Sequence, residues 1–130
     1  MMTKYIYYLR HAESTYNKHL TETGIECHNM INSGLSDNGI NQAIAFNELN
    51  NIIFDLIICS PLKRTHETFS YMSKKLSYKK SIILDLCREY RVNECDFLDG
   101  EQVVFETMSE LDERIKHFKV YINDISEKIF

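Results

Sequence analysis

The chain is short of several things, and most of the shortages narrow its function. In 130 residues there are 4 glycines, 1 proline and no tryptophan. Asparagine, isoleucine, lysine and tyrosine are plentiful instead, a bias from which no function follows. No apolar run approaches the ~18 residues needed to cross a membrane. The amino terminus has no long apolar stretch and no small-residue cleavage site, so a secretory leader is not favoured. Basic charge is not in excess: the formal net charge is −4 and the pI about 5.7, which argues against a general nucleic-acid-binding surface. Any anion site must rest on a local positive field. The 4 cysteines, Cys27, Cys59, Cys87 and Cys95, form no C-x-x-C pair. Cys59 and Cys87 lie in apolar runs, where free cysteine acts as a small hydrophobe. Reduced thiols in the cytoplasm are expected. No cofactor or metal is called for, because the adjacent Cys27-His28 has no second ligand pair.

What is present describes a globular domain, with 44% hydrophobic and 26% charged residues. By length it is one domain spanning residues 1–130, with no internal repeat and no linker. Tyr5-Ile6-Tyr7-Tyr8-Leu9 reads as a strand covered on both faces, with Tyr7 and Tyr8 in the core. Residues 12 to 35 show no sustained period and read as a long loop. Ser36 caps a helix that Ile40, Ala43, Ile44 and Leu49 carry to Asn50-Asn51. Residues 52 to 59 give a second strand. Ser60-Pro61 then starts a helix to about residue 77, with serine as N-cap and proline at the first position. A third strand covers 81 to 87, and 92 to 100 is a loop. Val104, Met108, Leu111, Ile115, Phe118, Ile122 and Ile125 trace an amphipathic helix over about 102–125 that packs on a core. Glu127-Lys128-Ile129-Phe130 reads as the opening of a further strand. Strands alternating with helices predict an α/β fold, a largely parallel central sheet with helices on both faces.

In a parallel sheet the strand ends share one edge, where ligands bind. Three candidate strands end in Arg10-His11, Ser60…Arg64 and Arg88-Glu89. Guanidiniums clamp phosphate, a neutral imidazole can take a phosphoryl group covalently, and a carboxylic acid can protonate the departing oxygen. That set describes phosphoryl transfer through phosphohistidine. Each residue also has a plainer use. His11 alone would be a surface histidine, and Arg10 and Arg64 could sit in surface ion pairs. Glu89, flanked by Arg88 and Arg91, could do the same, and Asn17 could be a turn residue. Arg88 and Arg91 either widen the anion site or solvate a loop. Glu13, Glu94, Asp96 and Asp99 read as solvated loop charges.

Four stretches in order carry a resemblance. They are Leu9-Arg10-His11-Ala12-Glu13-Ser14 with Asn17, Leu35-Ser36-Asp37-Asn38-Gly39-Ile40-Asn41-Gln42-Ala43, Cys59-Ser60-Pro61-Leu62-Lys63-Arg64-Thr65 with Thr68, and Leu86-Cys87-Arg88-Glu89. Over residues 4 to 91 the chain resembles the histidine phosphatase superfamily, the phosphoglycerate mutase-like proteins. The resemblance implies that His11 is the phosphate-accepting nucleophile and Glu89 the proton donor. It implies that Arg10, Arg64 and Asn17 bind the phosphate, and that Ser60 is a helix cap. Ala12 stands where the family usually has glycine, a mild change. The family's second histidine, followed by glycine at a later strand end, has no counterpart here, since His66 and His117 fall inside helices. The chain therefore reads as C-terminally incomplete.

The expected function is a phosphatase acting on a small phosphorylated metabolite or a phosphoprotein. The alternative is a catalytically impaired phosphate-binding or interaction module, and a phosphoglycerate mutase is less favoured because the chain is short. Nucleic acid and membrane are not expected partners. Losing one phosphate-stabilising group costs about 10²–10³ in rate. The chain should therefore turn over p-nitrophenyl phosphate slowly, and turnover at rates normal for the family would refute that expectation.

Overall fold

The computed structural model describes residues 4–129. The elements in order are α1 (Thr15–Thr23), α2 (Asp37–Ala45), β1 (Ile53–Phe54), β2 (Ile57–Cys59), α3 (Lys63–Met72), β3 (Ser77–Tyr78), β4 (Ser81–Ile83) and α4 (Met108–Ile129). Short 3-10 turns lie at Ser73–Lys75, Asp85–Cys87 and Glu94–Asp96. Both strand pairings are parallel, as an α/β reading requires: β1 with β3, where Ile53 faces Ser77, and β2 with β4, where Cys59 faces Ile83.

The single strand expected over 52–59 is broken. The ladder steps past Asp55-Leu56, opposite Lys79-Lys80: the Lys79 N–H bonds the Phe54 carbonyl, and the Ile57 N–H bonds the Lys80 carbonyl, both at 2.9 Å. Lys79 Nζ also pairs with Asp55 at 2.9 Å. The third strand stops at Ile83, because the next residues curl into the Asp85–Cys87 turn. The first strand is not formed. Residues 4–9 enter no ladder, and Tyr7 and Tyr8 are 50% and 81% exposed rather than core. An aromatic, branched run becomes a strand only where a neighbour offers ladder partners, and no described segment offers them. Tyr7 instead sets its ring edge on Phe54, with centroids 5.7 Å apart.

The expected loop over 12–35 contains α1. Ser14 caps it in a box with Asn17: each backbone N–H bonds the other's side-chain oxygen. Gly24 closes it in the left-handed conformation at φ 69°. Helix α2 starts on Ser36 as expected but ends at Ala45, where Phe46 turns extended and the asparagine-rich 47–51 forms turns. Ser60 is not the N-cap: regular helix begins at Lys63 with Leu62 at the cap position and no side-chain cap, and the Ser60 Oγ accepts the Leu62 N–H at 3.3 Å in the turn before it. Helix α4 starts at Met108, not 102. Thr107 and Glu110 cap each other reciprocally at 3.1 Å, a capping box that the apolar stripe obscured. The strand expected at 127–130 is also replaced: residues 127–129 continue α4, and Phe130 lies outside the described residues. The stripe is only partly covered, with Met108 60% exposed and Leu111 and Phe118 half-buried. No described helix is long and apolar enough to cross a membrane.

The buried apolar residues are Leu35, Ala43, Cys59, Leu62, Met72, Cys95 and Phe97, and the described buried polar residues outnumber them. Ala43, Cys59 and Met72 belong to α2, β2 and α3, which pack as α2 on α3 and α3 on β2, while Cys95 and Phe97 come from the Glu94–Asp96 turn and the residue after it. The first turn of α2 also presses on the backbone after His11. The Ser36 N–H bonds the Glu13 carbonyl at 3.0 Å, and a Cβ built on Gly39 would overlap that same oxygen. Gly39→Ala should therefore cost about 1–3 kcal/mol, the usual penalty of overpacking. Urea denaturation would show it as a lower midpoint, and an unchanged midpoint would contradict the close approach.

Candidate active site

The turn at His11 is held from two sides. From α3, Thr68 Oγ1 accepts the Ala12 N–H at 3.0 Å while donating to the Arg64 carbonyl at 2.7 Å. From α2, Gln42 Oε1 accepts the Glu13 N–H at 2.9 Å. Glu13 is no solvated charge, since its carboxylate takes the Ser36 hydroxyl at 2.6 Å. With the backbone fixed, His11 lies with its side chain 8% exposed. Its Nδ1 is 2.6 Å from the Ala12 carbonyl, which can only accept, so Nδ1 carries a proton. Arg64 Nε–H points at His11 Nε2 from 3.2 Å. In the neutral ring Nε2 is therefore the lone-pair nitrogen.

Arg64 is 2% exposed, and each of its three guanidinium nitrogens is hydrogen-bonded. Besides His11 it bonds the Cys95 carbonyl through Nη1 at 2.7 Å. Through Nη2 it bonds both Glu89 Oε2 and Asp96 Oδ1 at 2.9 Å. Glu89 Oε2 is also 3.7 Å from His11 Nε2. Its side chain is half-exposed, 53%, so solvent reaches the carboxylate. His11, when its ring is protonated, and then the Arg64 guanidinium hold that carboxyl at about 2, below its ordinary 4.5.

His11, Arg64 and Glu89 thus meet in one place. Arg10 and Asn17 do not join them by any hydrogen bond or ion pair among the described residues. Arg10 is exposed, one residue before His11. Asn17 Oδ1 is taken by the N–H and the hydroxyl of Ser14, so its turn-like use as a cap is present. Arg88 proves to be structural. It is 4% exposed and bound at both Nη atoms by Glu101, at 2.9 and 2.8 Å, so it neither solvates the loop nor opens to an anion.

Asp96 corrects the sequence reading most. Expected as a solvated charge, it is 4% exposed and bound to Arg64. Glu106 and Arg114 carry no signal in the sequence pattern either. Glu106 is buried and takes Arg114 at 2.8 and 2.9 Å and Arg91 at 3.3 Å. Arg114 also bonds the carbonyls of Leu86, Arg88 and Glu89, fixing the backbone that presents Glu89. An open groove of about 390 Å³ beside Arg91, Glu106 and Arg114 is lined by charges already paired with one another, away from His11. Among the described residues no cluster of three or more His, Cys, Asp or Glu is placed to hold a metal.

Glu101 and Glu106 are both held at about 2, chiefly by hydrogen bonds from Arg88 and Arg114 respectively. A carboxyl depressed in the folded state stabilises it fully above its unfolded value near 4.5, and that contribution is lost as pH falls towards 2. The melting temperature should therefore hold above about pH 5.5 and fall steadily below pH 4.5. Glu101→Gln should lower it at neutral pH and flatten the acid limb. A melting temperature that stays level down to pH 2.5 would contradict these pairings.

The sequence pattern of the Histidine phosphatase superfamily (branch 1) matches residues 6–124. No curated protein matches. Among solved structures the chain is similar to an Escherichia coli K-12 protein assigned as an alpha-ribazole-5'-P phosphatase. The TM-score is 0.66 at 18% identity, over 89% of this chain and 65% of that one. The chain thus spans just under two thirds of that neighbour's length, and the likeness speaks for the fold. With the pattern matched over most of its length, the chain belongs to the histidine phosphatase superfamily.

Proposed function

We propose that the protein is a phosphatase that removes a phosphoryl group through a phosphohistidine on His11. The observation that carries this is the ring's setting. Nδ1–H is fixed on the Ala12 carbonyl, and the Nε2 lone pair faces the Arg64 guanidinium beside Glu89. Nε2 attacks phosphorus, and the bond to the leaving oxygen breaks. Glu89 gives that oxygen a proton. Water then attacks the phosphohistidine while Glu89 takes a proton from it, and the N–P bond breaks to release phosphate. Arg64, Arg10 and the Asn17 amide bind the phosphoryl oxygens.

Glu89 is ionised while it pairs with Arg64 and His11, so its acid role depends on the substrate. An incoming phosphoryl dianion competes for Arg64 Nη2 and sets negative charge beside the carboxylate. Both effects favour its protonated form. The substrate class is a small phosphorylated metabolite or a phosphoprotein. Four free cysteines support a reducing, cytoplasmic setting. A second reading, a phosphate-binding module with poor turnover, draws support from Arg64, whose three nitrogens are all already hydrogen-bonded within the protein.

Labelling with a phosphoryl donor separates the two. Wild type should acquire an acid-labile, base-stable phosphate that His11→Ala lacks, while His11→Ala still binds inorganic phosphate. Equal labelling of the two proteins would end the phosphatase reading.

A further inference from the structure

Asp96 belongs to the 3-10 turn at Glu94–Asp96, which it closes in a reciprocal cap with Asn93. Its Oδ2 accepts the N–H groups of Val92 at 3.1 Å and Asn93 at 3.0 Å. Its Oδ1 accepts Arg64 Nη2. Its carbonyl takes Arg88 Nη2 at 2.8 Å, and Glu101 holds Arg88 in turn. The carboxylate therefore cannot swing: one oxygen is anchored to backbone and the other holds the guanidinium. Because a guanidinium is planar, two fixed donors fix the third. Nη2 on Asp96 and Nη1 on the Cys95 carbonyl, both from one turn, aim Nε–H at His11 Nε2. Glu89 reaches the same Nη2 from the solvent side, 53% exposed against 6% for Asp96.

We infer that Asp96 is the positioning residue of this site: it sets the plane of Arg64 and remains its permanent counter-ion, leaving Glu89 as the carboxylate that a phosphoryl group displaces. The inference rests on the reading of the His11 site as a phosphate site. Asp96 itself touches no substrate. Its consequence runs against simple charge counting. Removing a negative charge near an anion site should strengthen anion binding if only the sum of charges mattered. If Asp96 positions Arg64, neutralising it leaves Glu89 as the sole carboxylate on a loosened guanidinium, and phosphate must compete harder for that donor.

The test is a double-mutant cycle of Asp96→Asn and Arg64→Lys, reading inorganic phosphate affinity and the rate of His11 labelling by p-nitrophenyl phosphate. Asp96→Asn should weaken phosphate binding by about tenfold and slow labelling by about 10²-fold. In the Arg64→Lys background it should change neither, since the two residues act as one unit. Unchanged or tighter phosphate binding in Asp96→Asn, or effects that multiply in the double variant, would overturn the inference. Should Asp96→Asn not fold, wild type decides by ¹⁵N NMR of its arginine side chains. Slow rotation of the Arg64 guanidinium both with and without phosphate supports the role, and free rotation without phosphate refutes it. Should wild type not label at His11, the phosphatase reading falls, while phosphate affinity and the NMR signals still judge Asp96.

Discussion

The structure depends on one buried cation. Taking a guanidinium out of water costs several kcal/mol unless its donors are met, and at Arg64 every donor nitrogen is met. The partners come from distant points in the chain: His11 ahead of α1, Glu89 after the Asp85–Cys87 turn, and Cys95 and Asp96 in the Glu94–Asp96 turn. Arg64 is not satisfied by any one of them alone. The chain must bring all of them to the start of α3 before the cost of burying Arg64 is offset. A short-stranded molecule with few buried apolar side chains thus gains a unique arrangement from polar geometry.

Two further arginines extend the same device. Segment 86–106 holds little regular structure, yet it carries Glu89 and Asp96. Arg88 ties it to Glu101 from within. Arg114 reaches in from α4 to three of its carbonyls and to Glu106. A loop normally moves more than the elements it joins. Here its backbone is fixed at the residues that face His11. Helix α4 therefore contributes to the site through one side chain, while its apolar stripe stays only partly covered.

That division explains what the sequence made legible. His11, Arg64 and Glu89 are legible because each follows an apolar run, and of those runs the segments 53–54, 57–59 and 81–83 do form parallel strands. Gln42 and Thr68 stood out only within the resemblance; the structure gives them work, since they hold the N–H groups of Glu13 and Ala12. Asp96, Glu106 and Arg114 were not legible as site residues. A buried ion pair leaves no period in the sequence, and its two members lie 32 residues apart in the case of Arg64 and Asp96. The Ser14…Asn17 and Thr107…Glu110 boxes were legible in principle, because serine or threonine followed three residues later by a side-chain partner is a helix start. The absence of a clear apolar period after residue 12 masked the first, and an apolar stripe beginning too early masked the second. Residues 4–9 failed for the opposite reason: composition favoured a strand, but pairing depends on neighbours that composition does not specify.

The two carboxylates on Arg64 then acquire different meanings from burial alone. Both are 2.9 Å from the same nitrogen, and a distance table would treat them alike. Asp96 is anchored by two backbone N–H groups in a site that water does not reach, so moving it would strand a buried charge and two buried donors. Glu89 has no backbone anchor on its carboxylate, which meets only Arg64 and His11 from a half-exposed side chain, so water can take its place more readily than that of Asp96. On the proposed reading an arriving anion meets a graded site: the outer carboxylate yields, the inner one stays, and Arg64 keeps its direction while its partner changes. With neutral His11, the pair of carboxylates against one guanidinium leaves the core of the site net negative before Arg10 is counted. In a chain that is itself net negative, the proposed selectivity for phosphate would rest on the displacement of Glu89 by an anion able to take the Arg64 donor, rather than on long-range attraction.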